Sequence, residues 1–165
     1  MAAQFEKAIM QLLLEEGGYV YDPDDLGGET NMGISKRQYP RLDIRNLKRV
    51  QAMKIYQMDF WEKFRIGEIT NQAIANAALD MFVHMNPETA ASLIQNAMNI
   101  LGAGLKIDGV MGTKTISQIN NIINPDRLLD KIKIERIQFY LGRVTKDKSQ
   151  AKFLAGWIGR TLRAV

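Results

Sequence analysis

Hydrophobic side chains recur at helical spacing along most of the chain, and segments that alternate like strands are scarce. Residues 4–16 carry apolar side chains three and four positions apart, and this pattern stops at Gly17 and Gly18, a typical helix end. The same spacing predicts helices over 46–64 and 71–85. Segment 71–85 is the most apolar and is rich in small residues, so we expect it at the centre of the fold.

Capping signals predict where the later helices begin. Asn86-Pro87-Glu88 supplies an N-cap, a proline at the first helical position and an acidic first turn, for a helix that should end at Gly102. Asn124-Pro125-Asp126 repeats this signal before a long helix, and a short helix over 153–162 follows. The stretch 17–34 is rich in Gly, Pro and Asp and predicts a turn-rich loop or a short hairpin. The predicted fold is otherwise all-α, in a single compact body.

The amino-acid composition excludes several kinds of catalysis and metal binding. The chain has 165 residues, which suits one domain or one domain with a small appendage, and it has no cysteine and one histidine, His84. Disulfides, thiolate catalysis and His-rich metal sites are therefore excluded, and we expect no metal or organic cofactor. No apolar run approaches the ~20 residues that cross a bilayer, and the first residues do not resemble a cleavable leader.

Charge is unevenly distributed. Residues 1–91 carry 10 Lys and Arg against 13 Asp and Glu, a net −3, whereas residues 92–165 carry 12 against 5, a net +7. A basic C-terminal half suggests an acidic partner, which could be nucleic acid, an anionic membrane or a bacterial wall polymer. The alternative is a solvated basic surface without a partner.

One carboxylate lies on the apolar side of the first predicted helix. At ~100° per residue the apolar stripe is centred between Phe5, Ile9 and Leu12, and Glu16 falls within it, whereas Glu15 falls on the polar side. Partial desolvation, the negative end of the helix dipole and the charge of Glu15 all favour a protonated Glu16. We therefore expect the pKa of Glu16 to be raised.

A protonated carboxyl beside an Asp-rich loop is what cleavage of a glycosidic bond requires, because the leaving oxygen must receive a proton. The alternative is a glutamate in a frayed last turn that bends into solvent. A second group must position water or stabilise the sugar cation, and the loop offers Asp22, Asp24, Asp25, Glu29, Thr30 and Asn31. Asp22 and Asp24 have an alternative role as Asx-turn residues.

The run Glu16-Gly-Gly-Tyr-Val-Tyr-Asp-Pro-Asp-Asp-Leu-Gly-Gly-Glu-Thr-Asn-Met-Gly-Ile-Ser35 closely resembles the signature of glycoside hydrolase family 108. The resemblance implies a lysozyme-like fold and N-acetylmuramidase activity of the kind found among phage endolysins and proteins labelled secretion activators. It also implies that Glu16 is the catalytic glutamate.

Two further segments extend the resemblance. Asp59-Phe60-Trp61 resembles the Asp-aromatic-Trp stretch of the family, which makes Trp61 a candidate for substrate binding. Leu79-Asp80-Met-Phe-Val83 resembles a segment that an Asn usually follows, and His84 stands in its place. We interpret His84 as a paired structural histidine on the polar stripe of its helix.

Residues 93–165 resemble the predicted peptidoglycan-binding segment that usually follows in this family. The resemblance rests on the residues Asp108-Gly-Val-Met-Gly112 with Thr115, and on Lys152-Phe-Leu-Ala-Gly-Trp157 with Arg160. Thr113 replaces the usual proline. We expect a lysozyme-like catalytic region over 1–91 and a peptidoglycan-binding helical region over 92–165, packed into the same fold because no linker separates them.

A looser similarity connects the chain to phage lysozymes that combine Glu, Asp and Thr. Asp25 lies nine residues after Glu16 and Thr30 five after Asp25, one short of that pattern. Asp25 and Thr30 are thus candidates for assisting catalysis. Tyr19, Asp22 and Asn31 are candidates for substrate binding, with a core aromatic as the alternative for Tyr19.

The leading hypothesis is a muramidase that cleaves the β-1,4 bond between N-acetylmuramic acid and N-acetylglucosamine, with Glu16 as general acid. The alternatives are a non-catalytic wall-binding or secretion-associated module that uses the basic half and an exposed Trp157, and a nucleic-acid-binding protein. We expect no nucleic acid partner, since no basic recognition helix stands out. The expected partners are peptidoglycan glycan strands and a holin-like pore, which would release a protein made in the cytoplasm without a signal peptide to the periplasm and cell wall.

Overall fold

The computed structural model describes residues 2–21 and 28–164, and most of these residues are helical. Seven α-helices lie in this part of the chain: α1 Phe5–Glu15, α2 Arg49–Tyr56, α3 Gln72–His84, α4 Pro87–Ile100, α5 Thr113–Asn120, α6 Pro125–Lys146 and α7 Ala151–Arg163. Three short antiparallel strands follow α1, namely β1 Val20–Tyr21, β2 Glu29–Asn31 and β3 Ile34–Ser35, in the order β1-β2-β3. The predicted lysozyme-like all-α body with a small hairpin after the first helix is confirmed.

Helix α3 is the centre of the fold, as its composition predicts. It packs against α1, α4 and α6, and α6 in turn packs against α7. Ala75 and Ala78 are fully buried, which allows the neighbouring helices to approach closely. The ring of Phe82 stacks on that of Phe64 with 4.6 Å between centroids. The position of α3 therefore follows directly from its wide apolar face.

The predicted caps begin the helices that follow. The Asn86 side chain accepts hydrogen bonds from the backbone N–H groups of Glu88 and Thr89, and that of Asn124 accepts one from Arg127. The prediction for 46–64 is less accurate at its ends, since α2 begins at Arg49 and passes into a π-helical segment over Gln57–Glu62.

The stretch predicted as a loop or hairpin contains a tight turn between β2 and β3. Met32 and Gly33 form this turn with φ values of 49° and 75°, and Asn31 pairs with Ile34 across it. Two consecutive positive φ values are what a two-residue type I′ hairpin requires. The turn folds the sheet back toward the end of α1, where Met32 N–H donates to the carbonyl of Gly17 over 3.2 Å.

The motif Asp108-Gly-Val-Met-Gly112 forms a loop held by one buried amide. Gln95 is 1% exposed, and its Oε1 accepts hydrogen bonds from the backbone N–H groups of Asp108 and Gly109. Its Nε2 donates to Asp108 Oδ1, Val110 O and Thr115 Oγ1 over 2.8, 3.0 and 3.2 Å. These contacts fix the loop before α5, so they give the motif a structural role.

Replacing Gln95 with leucine should destabilise the protein markedly. Leucine keeps the volume but leaves the N–H groups of Asp108 and Gly109 without an acceptor, at a cost of about 2–3 kcal/mol in unfolding free energy. Urea denaturation would measure the change against Gln138→Leu, a control on the exposed surface of α6. Equal stability of the two variants would show that the amide does not hold the loop.

Candidate active site

Glu16 lies at the C-cap of α1, where the chain leaves the helix. Its backbone is extended, with φ −86° and ψ 135°, and its side chain is 11% exposed. The predicted inward direction of Glu16 is therefore confirmed, and the alternative of a solvated, frayed glutamate is wrong. The side chain of Glu15 lies outside the described part of the structure.

Two side chains from distant parts of the chain bind one oxygen of Glu16. Arg160 Nη1, from α7, donates to Glu16 Oε1 over 2.8 Å, and His84 Nε2, at the end of α3, lies 2.7 Å from the same oxygen. Arg160 Nη1 and His84 Nε2 are themselves 2.6 Å apart. One carboxylate oxygen, one imidazole nitrogen and one guanidinium nitrogen thus form a close triangle.

A second carboxylate, that of Asp80, lies close to this triangle on its buried side. Asp80 on α3 pairs with the fully buried Arg136 of α6 at 2.5 Å, and its other oxygen lies 3.5 Å from Arg160 Nη1. The backbone carbonyl of Asp80 lies 2.7 Å from Nδ1 of His84. We call Glu16, Asp80, His84, Arg136 and Arg160 the charge cluster. Its five members lie in or at the end of four helices, namely α1, α3, α6 and α7. Buried charges are tolerated only when they are paired in this way.

The second oxygen of Glu16 lies against the β2–β3 turn. A methyl group added at Gly33 would lie 2.6 Å from Glu16 Oε2 and 2.5 Å from the hydroxyl of Tyr56. Tyr56 donates its hydroxyl proton to the carbonyl of Met32 over 2.9 Å. Burial and the nearby charge of Glu16 raise the pKa of Tyr56, so this hydroxyl stays protonated. The glycine is needed both for its positive φ and for this close approach.

The prediction of a raised pKa for Glu16 is wrong. Burial does raise it, but hydrogen bonds and charge interactions with His84 and Arg160 outweigh burial and lower the pKa of Glu16 below its usual value. The helix end, the apolar stripe and Glu15 are local effects, and they alone favour a raised pKa. The groups that lower the pKa, His84 and Arg160, are 68 and 144 positions away from Glu16 in sequence.

Three other predicted residues lie on the sheet or beside it. Tyr19 is 39% exposed and donates its hydroxyl to Glu29 over 3.2 Å, so the alternative of a core aromatic is wrong. Thr30 is half-buried in the middle strand, opposite Val20 and Ser35. Asn31 is 8% exposed, and its amide donates to the carbonyl of Ile44 over 3.0 Å. The structure places Asn31 in the core, as a support for the loop that follows, and not on an open surface.

The structure also places Trp61 in the core. Its side chain is 6% exposed and packs edge-on against Phe5, with 5.6 Å between ring centroids. A buried indole cannot stack on a sugar, so the assignment of Trp61 to substrate binding needs correction. Its neighbour Asp59 accepts a hydrogen bond from the hydroxyl of Tyr39 over 2.7 Å, which gives this motif a structural explanation. Asp22, Asp24 and Asp25 lie outside the described residues.

The sequence analysis missed two members of the charge cluster and misjudged a third. Arg160 was recognised only as part of a motif, and Arg136 was not singled out. His84 is paired through Nδ1 as predicted, but its Nε2 contacts Glu16, so a purely structural interpretation is incomplete. The available signal was the polar stripe of α3, on which Asp80 and His84 are one turn apart.

Within residues 2–21 and 28–164, no three His, Asp or Glu side chains are grouped so as to hold a metal ion. None of the helices described above combines the length and apolar character that crossing a bilayer requires.

Two family models match successive parts of the chain. Residues 9–85 match the family model described as glycosyl hydrolase 108, and residues 89–162 match one described as a predicted peptidoglycan domain. The chain is therefore similar to glycosyl hydrolase 108 over its first half and to the predicted peptidoglycan domain over its second half. The resemblance found in the sequence motifs is confirmed, and the matches support a peptidoglycan-related hydrolase or binding role.

A solved structure, SagA from Brucella abortus, is similar over nearly the whole chain. It is 26% identical, with a TM-score of 0.71, and the match covers 97% of this chain and 94% of SagA. No match was found among curated protein sequences.

The ion pairs of Glu16 should make stability depend on pH. Because the pKa of Glu16 is lowered in the folded state, its contribution is present above the unfolded value, 4.5, and is lost as pH falls through the folded value. Denaturant unfolding of the wild type and Glu16→Gln between pH 7 and pH 3 would measure this. We expect the wild type to lose more stability than the variant on acidification, and parallel profiles would contradict it.

Proposed function

We propose that the protein is an N-acetylmuramidase, which hydrolyses the β-1,4 bond between N-acetylmuramic acid and N-acetylglucosamine, and that Glu16 is its general acid. The family match and the nearly buried carboxylate at the start of the family motif support this proposal. No metal or organic cofactor is required, since proton donation and water attack suffice for this chemistry.

The contact between Glu16 and His84 supplies the proton. A carbonyl oxygen only accepts hydrogen bonds, so the 2.7 Å contact to the Asp80 carbonyl requires a hydrogen on Nδ1 of His84. Arg160 Nη1 can donate to Glu16 Oε1 or to Nε2 when Nε2 carries no hydrogen, and we propose that in the reactive form one further proton is shared between Nε2 and Oε1 across their 2.7 Å contact. With the proton on His84, Glu16 is a carboxylate, and with the proton on Glu16, Nε2 accepts it.

This shared proton reconciles a lowered pKa with general acid catalysis. As the glycosidic oxygen acquires charge, the proton passes from Nε2 of His84 to Glu16 and from the carboxyl of Glu16 to the leaving oxygen. Arg160 then stabilises the carboxylate left behind, because its Nη1 already donates to Oε1. We propose Thr30 and Asp25 as groups that position water. Thr30 has the favourable location, on the middle strand of the sheet beside the Met32–Gly33 turn that contacts Glu16.

A non-catalytic wall-binding protein is the second candidate. The match of residues 89–162 to a predicted peptidoglycan domain favours it equally. The two candidates differ in one observable, since binding alone releases no new reducing ends from purified sacculi.

In either case the protein must reach the wall, and we propose release from the cytoplasm through a holin-like pore.

Replacing Glu16 with glutamine should abolish cleavage. Glutamine keeps the shape but cannot donate a proton, and we expect the rate of reducing-end release from purified peptidoglycan to fall by at least about 10²-fold. Glu6→Gln, on the exposed side of the same helix, is the matched control and should retain activity. Mass spectrometry of the wild-type products identifies the cleaved bond, and equal activity of Glu16→Gln would remove Glu16 from the mechanism.

Replacing His84 with asparagine should change the pH profile more than the maximal rate. Asparagine can still donate a hydrogen bond to Glu16 but stores no proton, and Arg160 keeps the carboxylate ionised. We expect the basic limb of the kcat/KM profile to move to lower pH, because the proton that His84 shares with Glu16 is no longer available. Gln72→Asn, at the other end of α3, should leave the basic limb of the profile where it is in the wild type. An unmoved limb in His84→Asn would show that the histidine does not supply the proton.

A further inference from the structure

A candidate binding surface adjoins the charge cluster and shares His84 and Arg160 with it. Helices α6 and α7 enclose an open cleft of about 540 Å³, which we call the α6–α7 cleft, lined mainly by Tyr140, Arg143, Lys152, Phe153, Trp157 and Arg160. His84 also lines it, so two of the groups that contact Glu16 form one end of the cleft. Its volume lies within the range of about 300–1,000 Å³ that is typical of small-molecule sites.

Three aromatic rings form the wall of this cleft. Trp157 stacks on Tyr140 with 4.9 Å between centroids and 24° between planes, and Phe153 lies 5.8 Å from Trp157. Tyr140 is buried, Trp157 is half-buried and Phe153 is 46% exposed. The stack therefore continues from the core to the surface, where the exposed part of Phe153 offers apolar surface to a ligand.

Basic side chains lie over these rings. The guanidinium of Arg143 is 5.1 Å from the centre of Trp157, and the ammonium of Lys152 is 5.0 Å from that of Phe153. Arg163 and Arg160 lie along the same lining, which contains no Asp or Glu in the part of the chain that the structure describes. The nearby Asp147 acts on Arg143 by its charge, but its carboxylate accepts hydrogen bonds from Ser149 and Gln150. The cleft therefore attracts anions.

We propose that the α6–α7 cleft binds the acidic peptide stem of peptidoglycan, with stem carboxylates at Arg143 and Lys152 and apolar groups of the ligand on Trp157 and Phe153. This inference rests on the proposed function. The N-acetylated sugars of the wall carry little charge, whereas the peptide attached to each muramic acid carries several carboxylates. Charge complementarity thus selects the stem, and the shared end at His84 and Arg160 places the stem next to the bond that Glu16 acts on.

The test compares two soluble ligands. One is a disaccharide with its stem peptide, and the other is the same glycan after an amidase has removed the peptide and the lactyl carboxylate that this hydrolysis frees has been converted to its methylamide, so that it carries no charge. Binding is measured by calorimetry in the Glu16→Gln protein, so that no ligand is consumed. Arg143→Gln with Lys152→Gln should weaken binding of the stem-bearing ligand about tenfold, as loss of charge-assisted contacts implies, and that of the stripped glycan at most about twofold.

The matched control is Lys146→Gln with Lys148→Gln, which removes the same charge from exposed positions outside the cleft. It should leave both dissociation constants unchanged. Equal loss for both ligands, no loss, or preferential binding of a glycerol phosphate polymer would overturn the stem assignment. Cleavage by the protein with Glu16 intact is scored separately. Failure to cleave counts against the proposed muramidase, whereas the contrast in binding decides the role of the cleft.

Discussion

The interaction on which the structure depends is the pairing of charges inside the helical body. Asp80 and Arg136 are both buried, and removing either would leave an uncompensated charge at the centre of the fold. Glu16 and Arg160 extend this pair toward the surface, and His84 joins them. Helices α1, α3, α6 and α7 therefore have their relative positions fixed by ion pairs as well as by apolar packing, and the candidate active site is the accessible end of that arrangement.

The same cluster unites the two regions that match separate families. Glu16, Asp80 and His84 lie in the part of the chain that matches the glycosyl hydrolase 108 model, whereas Arg136 and Arg160 lie in the part that matches the predicted peptidoglycan domain. The latter is not an appended module in this protein, because it provides the cation that contacts Glu16. It also provides both helices of the α6–α7 cleft. Catalysis and recognition of the wall are thus proposed for adjoining surfaces of one body.

Local patterns predicted the helices well, because the caps and apolar stripes that determine them lie within a few residues of each other. Asn86, Asn124 and the apolar face of α3 are examples. The inward direction of Glu16 was predictable for the same reason. Its partners were not, since no pattern in one sequence connects Glu16 with Arg160. Trp61 was misassigned because an aromatic residue in a motif looks the same whether it packs on Phe5 or faces a ligand.

The separation of 144 positions between Glu16 and Arg160 has a consequence for how the protein matures. Contacts between residues so far apart form late, because the intervening chain must first be ordered. During synthesis, α1 leaves the ribosome long before α7 exists, so the Glu16 carboxylate cannot pair with Arg160 until α7 has been made. The contact between Glu16 and Arg160 therefore forms only after α7 has been made, and the charge cluster is incomplete on a nascent chain.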